Sequence, residues 1–248
     1  MKAIILAAGR GSRMGEGTSQ SPKCMVQLAG KSLLARALES LSLAGFAGET
    51  IGIVTGYRQD KIDVPGARRF HNPEWEQTNM VHSLTKAEEW LSAYPCIISY
   101  SDIAYDSAII AKLINSTEDI AITYTSNFWE IWSKRFDNPL EDLETFRVNE
   151  GFLTEIGNRP DSREQIEGQF MGLIYVSPKG WEKIKDAMKQ NMPKPIEEMD
   201  MTGLLQHLIN LGVSVQAIET HELWLECDNM NDVAVYEREY AESLSTIT

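Results

Sequence analysis

The sequence predicts an α/β fold in which a mostly parallel sheet carries helices on both of its faces. Short apolar runs, of the kind that form strands covered on both sides, alternate along the first half of the chain with stretches of helical periodicity. The strand candidates are Ala3–Leu6, Ile51–Thr55, Cys96–Tyr100 and Ile120–Tyr124, and the helix candidates are Ser32–Leu43, Met80–Leu91 and Ser107–Ile114. Strands that are joined by helices run parallel, because each crossover returns the chain to the same end of the sheet.

The pattern changes after about residue 140, where we expect a smaller α+β subregion. Leu143–Val148 and Phe152–Ile156 lie on either side of Asn149–Gly151, and this arrangement predicts a β-hairpin. Gly172–Val176 is a further apolar run, typical of a buried strand. The sequence leaves open whether the hairpin covers a binding site or contacts a second copy of the chain in a homodimer.

The last quarter of the chain again contains helices and a strand. Its predicted elements are a helix from Pro178 to about Lys189, a helix capped by Asp200 that ends at Leu211, a strand at Val213–Ile218 and a helix from about Asn231. Proline is favoured in the first turn of a helix and aspartate at the N-cap, which fixes where the first two helices begin. No repeat and no long linker interrupts the chain, and we therefore expect one domain over residues 1–248.

The charge and the cysteines exclude several classes of protein. The 248 residues include 23 Lys and Arg against 36 Asp and Glu, a formal net charge of −13, so that a basic face for nucleic acid is not expected. Cys24, Cys96 and Cys227 are far apart and lack the spacing of a metal site, which predicts a reduced protein without disulfides. No apolar run approaches the ~18 residues that span a membrane, and the one at the N-terminus is too short for a signal peptide. We expect a cytoplasmic protein that binds neither nucleic acid nor membranes.

A glycine-rich loop follows the first strand. In "LAAGRGSRM", Leu6–Met14, small residues would leave the backbone N–H groups open to a ligand, and Arg10 and Arg13 add charged donors. Such a loop can hold phosphate oxygens, and Lys23 downstream supplies a third cation. The alternative is an ordinary strand-to-helix turn that happens to be rich in glycine.

Two common phosphate-binding motifs are excluded by spacing. The dinucleotide motif G-x-G-x-x-G would need a third glycine where Met14 stands. The "GKS" at Gly30–Ser32 is not a P-loop, because the partner glycine would fall at Met25. It is better explained as a turn before the first helix.

The order of motifs over the first 40 residues resembles the nucleotidyltransferase superfamily, in its sugar-nucleotidyltransferase-like branch. The shared elements are L-A-A-G-x-G-x-R-M, then a Pro-Lys pair at Pro22 and Lys23, then a G-K-x-L-L helix start. The resemblance implies a Rossmann-like, GT-A-like fold and an NTP substrate, with Arg13 at the β- and γ-phosphates and Lys23 at the α-phosphate. It also implies nucleotide contacts from Leu6, Ala7, Ala8, Gly9, Arg10 and Gly11. Nucleotidyl transfer depends chiefly on charge stabilisation at the phosphoryl oxygens, which such cations can provide.

An NTP substrate implies Mg²⁺, which proteins bind with carboxylates. Asp102 stands just past the C-terminal end of a predicted strand, where open α/β sheets bind ligands, with Asp106 as a nearby alternative. The resemblance matches Asp102 to one metal-binding aspartate and Asp228, in "LWLECDNMND", to the second. In the same segment, Glu226 is another candidate, and Asp232 is better explained as an N-terminal residue of the last helix. On its own, Asp228 could instead cap that helix.

A segment near the second strand bears on the nucleotide. "NPEWEQTNMVHSL", Asn72–Leu84, resembles the N-x-x-x-S-L helix start of bacterial phosphocholine cytidylyltransferases and of phosphonate cytidylyltransferases. Two later stretches, "EGQFMGLIYVSPKGW" and the region from "DMTGLLQHLINLG" to "WLECDNMND", resemble the same group. The resemblance implies CTP as donor, with Thr78, Asn79, Ser83 and Ser101 at the nucleotide. The alternative is that Thr78, Asn79 and Ser83 only cap the helix.

The sequence indicates the acceptor less clearly than it indicates the nucleotide. The family forms its second-substrate pocket in the segment that is "SNFWEIWSKRFDNP" here, and the candidate acceptor-binding residues are Trp129, Trp132, Arg135, Glu167 and Gln169. An aromatic cage would favour phosphocholine, whereas a clamp of arginine and lysine would favour a phosphonate or phosphate. The third possibility is that the aromatic residues form the apolar face of an ordinary helix. The resemblance favours a small alkylphosphonate or phosphomonoester.

These observations predict transfer of CMP from CTP to such an acceptor with release of pyrophosphate. An anionic phosphorus oxygen needs no general base, and none of the four histidines stands in a catalytic arrangement. Residues 1–125 would bind the nucleotide, 126–180 the acceptor, and 181–248 would complete the sheet and the metal site. The alternatives are a phosphocholine cytidylyltransferase proper, an enzyme that joins another NTP to a sugar phosphate, a glycosyltransferase, and a non-catalytic nucleotide sensor. Glycosyltransferases of related architecture usually have a D-x-D pair, and this sequence lacks it.

Overall fold

The computed structural model describes residues 1–246, with positions 16, 17 and 246 described for the backbone only. Its strands are β1 (Lys2–Ala7), β2 (Gln27–Leu28), β3 (Lys31–Ser32), β4 (Ile51–Thr55), β5 (Arg68–His71), β6 (Cys96–Tyr100), β7 (Ile103–Tyr105), β8 (Ile120–Thr125), β9 (Phe146–Asn149), β10 (Phe152–Ile156), β11 (Gln169–Val176), β12 (Gln216–Thr220) and β13 (Trp224–Glu226). Its helices are α1 (Leu33–Leu43), α2 (Met80–Thr85), α3 (Glu88–Ala93), α4 (Ser107–Ile114), α5 (Phe128–Arg135), α6 (Pro178–Met188), α7 (Met201–Asn210), α8 (Met230–Glu239) and α9 (Ala241–Thr246).

Nine of the strands form one sheet in the order β5-β4-β1-β6-β11-β8-β12-β10-β9. The pairings show that seven strands run in one direction and that only β11 and β10 run against them. The predicted α/β fold with a mostly parallel sheet is therefore confirmed. The strands β1, β4, β6 and β8 are almost entirely buried, in keeping with their continuous apolar sequences.

The hairpin of β9 and β10 forms one end of the sheet. Its two-residue turn is Glu150-Gly151, and both residues have positive φ (51° and 82°), the geometry that matches the twist of paired strands. Strand β9 begins at Phe146, later than the sequence predicts, because the Leu143 N–H donates to the carbonyl of Pro139 in a preceding turn.

Two further elements differ from the prediction. The expected helix over Met80–Leu91 is divided into α2 and α3, because the N–H groups of Lys86 and Ala87 bond three residues back and tighten the chain. The expected strand at Val213–Ile218 starts only at Gln216, because the Val213 N–H is used to close α7 by donating to Leu208. Within the described range of the chain, no helix is long and apolar enough to cross a membrane.

Candidate functional site

A short two-stranded ladder beside the main sheet assembles the centre of the site. After β6 ends, β7 pairs with β13 in antiparallel fashion, so that Ile103 lies opposite Glu226. The next residue after β13, Cys227, donates its N–H to the carbonyl of Asp102 at 2.9 Å. This contact places Asp102 beside Asp228, although 126 positions separate them in the sequence.

Three carboxylates meet at this point. Asp102, Glu226 and Asp228 each offer an oxygen within 4.8 Å of the others. The Lys23 Nζ atom lies 2.6 Å from Asp102 Oδ2 and 2.9 Å from Asp228 Oδ1. Arg13, which is largely exposed, also pairs with Asp228 Oδ1 at 2.9 Å. The residues predicted at the α-phosphate and at the metal are thus in direct contact.

The pKa values of these groups reflect their mutual charges. Burial alone would lower the pKa of Lys23, but Asp102 and Asp228 outweigh it and raise that pKa above its usual value. Burial would raise the pKa of Asp228, but Lys23 and Arg13 outweigh it and lower that pKa. Glu226 is the exception, since burial together with Asp228 and Asp102 raises its pKa to about 8. A third negative charge is therefore disfavoured beside Asp102 and Asp228, even with Lys23 and Arg13 in contact with them.

The donor set fits a hard divalent cation such as Mg²⁺, which prefers carboxylate oxygens. Asp102 Oδ1 is buried and has no hydrogen-bond partner among the described residues. A buried acceptor without a donor is costly, and a bound cation would remove that cost. Burial, together with Asp228 and Asp102, also disfavours the charged form of Glu226 and raises its pKa, and a cation bound beside it would favour that charged form.

Arg135 lies behind Asp228 and not in a ligand cavity. Its fully buried guanidinium donates from Nε to Asp232 Oδ1 at 3.0 Å, and from another nitrogen to Asp232 Oδ2 at 3.0 Å and Asp228 Oδ2 at 3.4 Å. Asp232 also accepts the N–H of Asp228 at 2.8 Å and forms a capping box with Asn229 at the start of α8. Arg135 and Asp232 therefore orient Asp228, while Asp232 has the N-terminal place in the last helix that the sequence predicts.

A cavity of about 150 Å³ opens on the glycine-loop side of Lys23 and Asp102. It is lined by Leu6, Ala8, Gly9, Gly11, Lys23, Trp75, Thr78, Asn79, Met80, Ser83, Tyr100, Ser101 and Asp102. The N–H groups of Gly9, Arg10 and Gly11 donate to no other described residue, so they remain open to an anion. Ala7 lies in β1 and does not line the cavity, and the Arg10 side chain lies outside, 5.6 Å from the ring centre of Tyr57.

A buried asparagine that sequence reasoning missed supports this cavity. Asn72, just after β5, donates from Nδ2 to Thr78 Oγ1 at 2.9 Å and to Ser83 Oγ at 3.0 Å. Asn79 caps α2 by accepting the N–H of Met80. Thr78, Asn79 and Ser83 thus line the cavity and also stabilise the start of the helix. The position of Asn72 directly after a strand was the available signal, because ligand-binding residues gather at that edge of a sheet.

A second cavity, of about 280 Å³, lies on the other side of the cluster. It is lined by Arg13, Met80, Tyr100, Trp132, Asp142, Glu144, Thr145, Phe146, Ile156, Gln169, Phe170, Gly172, Asp200, Met201, Thr202, Glu226 and Asp228. Met80 and Tyr100 line both cavities, so the two meet at the carboxylate cluster. This arrangement offers one cavity for each of two substrates, with Lys23 and the carboxylates between them.

The predicted acceptor residues are distributed unevenly around this second cavity. Trp132 and Gln169 line it, whereas Arg135 does not. Trp129 faces the Arg163 guanidinium at 4.6 Å on a different surface, and Glu167 accepts the N–H of Val148 at the hairpin. Sequence reasoning also missed three acidic lining residues, which are Asp142, Glu144 and Asp200.

The charge of Glu144 should make stability depend on pH. Burial, assisted by Asp200 and Asp142, raises its pKa to about 7, well above the value of about 4.3 in an unfolded chain. The folded state therefore holds the proton to higher pH, and the free energy of unfolding should fall as pH rises from about 4.5 through about 7. Glu226, whose pKa is raised to about 8, contributes to the same decline, so we expect Glu144→Gln to make it shallower and to be more stable than the unaltered chain at pH of about 8.

Urea denaturation of both proteins across this pH range measures the effect. Glu141→Gln, at an exposed neighbouring position, is the matched control and should keep the decline. Parallel stability curves for the unaltered chain and the Glu144 variant would contradict the prediction.

Comparison with known proteins places the chain in a family. Residues 3–156 match the model of the MobA-like NTP transferase domain. CTP:phosphoglutamine cytidylyltransferase of Campylobacter jejuni is 36% identical over 95% of this chain and 98% of that relative. CMP-5′-(3-aminopropyl)phosphonate synthase of Streptomyces rubellomurinus is 29% identical over 96% of this chain, which spans only 36% of that longer protein.

Solved structures agree on the fold. The inositol-1-phosphate CTP transferase of T. maritima superposes with a TM-score of 0.76 at 20% identity, covering 99% of this chain and 95% of that one. CTP:phosphocholine cytidylyltransferase of Streptococcus pneumoniae gives a TM-score of 0.72 at 20% identity, over 96% and 97% of the two chains. The fold thus agrees with these structures, and the family model together with the Campylobacter jejuni relative shows that the chain belongs to the family of MobA-like NTP transferases.

Proposed function

We propose that this enzyme transfers CMP from CTP to a small phosphonate or phosphomonoester and releases pyrophosphate. The observation that carries the proposal is the position of Lys23, which contacts Asp102 and Asp228 at the point where two cavities meet. The relatives support it, since three of the names compared above describe transfer from CTP, with phosphoglutamine, inositol 1-phosphate or phosphocholine as the other compound, and the fourth describes the synthesis of a CMP–phosphonate conjugate.

In this reaction an anionic phosphorus oxygen of the acceptor attacks the α-phosphorus of CTP, and the bond to the β-phosphate breaks. The attacking oxygen carries its own negative charge, so no side chain needs to remove a proton. Lys23 neutralises the charge that develops on the α-phosphate, and the free N–H groups at Gly9–Gly11 bind phosphate oxygens. Arg13 is exposed enough to leave Asp228 and contact the departing pyrophosphate.

Asp102, Asp228 and Glu226 would hold Mg²⁺, which when bound supplies additional positive charge at the phosphates. For the base, we propose the Thr78 and Ser83 hydroxyls, fixed by Asn72, together with Asn79 and Ser101. One domain over residues 1–248 remains part of the proposal, because the larger cavity is lined by residues from both halves of the chain, from Arg13 to Asp228.

Pyrophosphate release tests the function directly. Each of the four NTPs is combined with phosphoglutamine, 3-aminopropylphosphonate, phosphocholine and inositol 1-phosphate. We expect release with CTP and at least one of these acceptors, and much less with ATP, GTP or UTP. Release that does not require an acceptor, or that is equal for all NTPs, would contradict the proposal. Binding of CTP without any turnover would favour a nucleotide sensor.

Two glycines of the loop should respond differently to a methyl group. A Cβ at Gly9 would have no atom of the chain within 4 Å, whereas a Cβ at Gly11 would lie 2.6 Å from Lys23 Cβ, at a backbone φ of +73°. We expect Gly9→Ala to keep its melting temperature but to raise the KM for CTP about tenfold, because the methyl group stands where phosphate must approach.

Gly11→Ala should lose both stability and turnover, because it strains the backbone and displaces Lys23. Gly45→Ala is its matched control, since Gly45 also has positive φ (+94°) but no atom within 4 Å of the added Cβ. Equal turnover in the Gly11 and Gly45 variants would show that the contact with Lys23 is unimportant.

A further inference from the structure

The acceptor-side cavity contains a second group of acidic residues, separate from the cluster around Lys23. Asp142, Glu144 and Asp200 line it together, and burial with the charges of Asp200 and Asp142 raises the pKa of Glu144. In the described chain no lysine, arginine or histidine lies within ion-pair distance of Asp142 or Glu144. Asp200 has one such partner, the exposed Lys194 at 3.4 Å.

The hydrogen bonds inside the chain leave these carboxylates incompletely satisfied. Asp142 accepts the indole N–H of Trp132 at 2.9 Å, and among the described residues the Glu144 carboxylate accepts only a long bond of 3.5 Å from the Thr202 hydroxyl. Asp200 caps α7 by accepting the N–H of Gly203, which accounts for its presence but not for that of the other two. Three carboxylates beside one another in a cavity repel each other, and a cation in the cavity would reverse that cost.

The aromatic residue that contacts Asp142 bears on which kind of cation fits beside that carboxylate. A trimethylammonium group needs open aromatic faces, but those of Trp132 are already engaged. Its ring stacks on Trp224 with centroids 6.0 Å apart, and the Arg135 guanidinium lies 4.9 Å from its centre. The Trp132 ring therefore presents its edge to the cavity. In this part of the cavity, carboxylate oxygens are the groups that bind the polar end of a ligand. Such oxygens accept hydrogen bonds, which a protonated primary amine can donate and a quaternary one cannot.

We propose that the acceptor carries a protonated amine with N–H donors, bound by Glu144 and Asp142, at the end of the molecule away from its reacting phosphorus. This inference rests on the proposed transfer to a phosphonate or phosphomonoester and narrows its substrate class. It favours an aminoalkyl acceptor over one whose tail is a neutral hydroxyl or a trimethylammonium group.

Three acceptors of similar length test the inference with CTP: 2-aminoethylphosphonate, 2-hydroxyethylphosphonate and 2-(trimethylammonio)ethylphosphonate. We expect kcat/KM for the amine to exceed the other two at least about tenfold, because the hydroxyl donates a hydrogen bond without a charge and the trimethylammonium group has a charge without an N–H donor. Glu144→Gln and Asp142→Asn should each reduce this ratio to about threefold or less. Glu141→Gln, which alters an exposed neighbour outside the cavity, should keep the ratio. A preference that is absent, or that survives in both cavity variants, would overturn the inference.

Calorimetric titration of the same three compounds without CTP separates this inference from the proposed function. Binding of the amine alone, lost in Glu144→Gln, with no pyrophosphate from any mixture, would contradict the transfer reaction and support the amine site. Pyrophosphate release with equal use of all three acceptors would support the transfer reaction and contradict the amine site. Melting temperatures of the variants show whether a loss of binding is caused by unfolding.

Discussion

Lys23→Met should lower kcat by about 100- to 1000-fold, the range seen when one donor to a transition-state oxyanion is removed. Methionine has a similar length and fills the same buried space, so the substitution removes mainly the charge. In the structure the ammonium lies between Asp102 and Asp228, at the boundary of the two cavities. Pyrophosphate release at saturating CTP and acceptor measures the loss, and a variant that keeps a third of the turnover would contradict the role of Lys23.

The same substitution should strengthen binding of a divalent cation in the absence of nucleotide. The Lys23 ammonium now occupies the space between two carboxylates and partly neutralises them, so its removal leaves more uncompensated negative charge. We expect Mn²⁺, titrated calorimetrically, to bind the variant more tightly than the unaltered chain. Lys31→Met is the control, because Lys31 is exposed, pairs with Glu39 and lines neither cavity. Weaker Mn²⁺ binding to the Lys23 variant would contradict this charge argument.

The glycine loop and the strand ends could be predicted from the sequence because their signals are local. Leu6–Met14 combines a buried strand with small residues over nine positions, and Asp102 directly follows an apolar run. The contact between Asp102 and Asp228 could be expected only from the family resemblance. It depends on the pairing of β7 with β13, which are three residues each and far apart in sequence, and no periodicity can be read from such short strands.

The acceptor cavity could not be predicted from local sequence signals, because its lining residues come from separate segments of the chain. Asp142 and Glu144 precede the hairpin, Gln169 begins β11, and Asp200 caps α7. The burial of Arg135, however, had a signal in the sequence. In α5 it lies seven residues after Phe128 and three after Trp132, on the same buried helix face, and an arginine there must find an internal carboxylate.

Asp102→Asn is expected to lower turnover at least about 100-fold, because the proposed cation loses one charged ligand next to Lys23. Asparagine keeps the size of the side chain, and its oxygen can still accept from Lys23, so the fold and the position of Lys23 should be retained. Raising the Mg²⁺ concentration should recover part of the activity, since the substitution weakens binding of the ion and leaves Asp228 and Glu226 in place.

Asp106→Asn is the matched control, four residues farther along. Asp106 caps α4 by accepting the N–H of Ala108 at 2.8 Å, and asparagine serves equally well at that position. The control should keep both activity and melting temperature. A second readout avoids turnover altogether: Mg²⁺ without nucleotide should raise the melting temperature of the unaltered chain and of Asp106→Asn, and much less that of Asp102→Asn. If Asp102→Asn were stabilised by Mg²⁺ as strongly as the control, the ion would have to bind elsewhere, and the assignment of Asp102 as its ligand would be wrong.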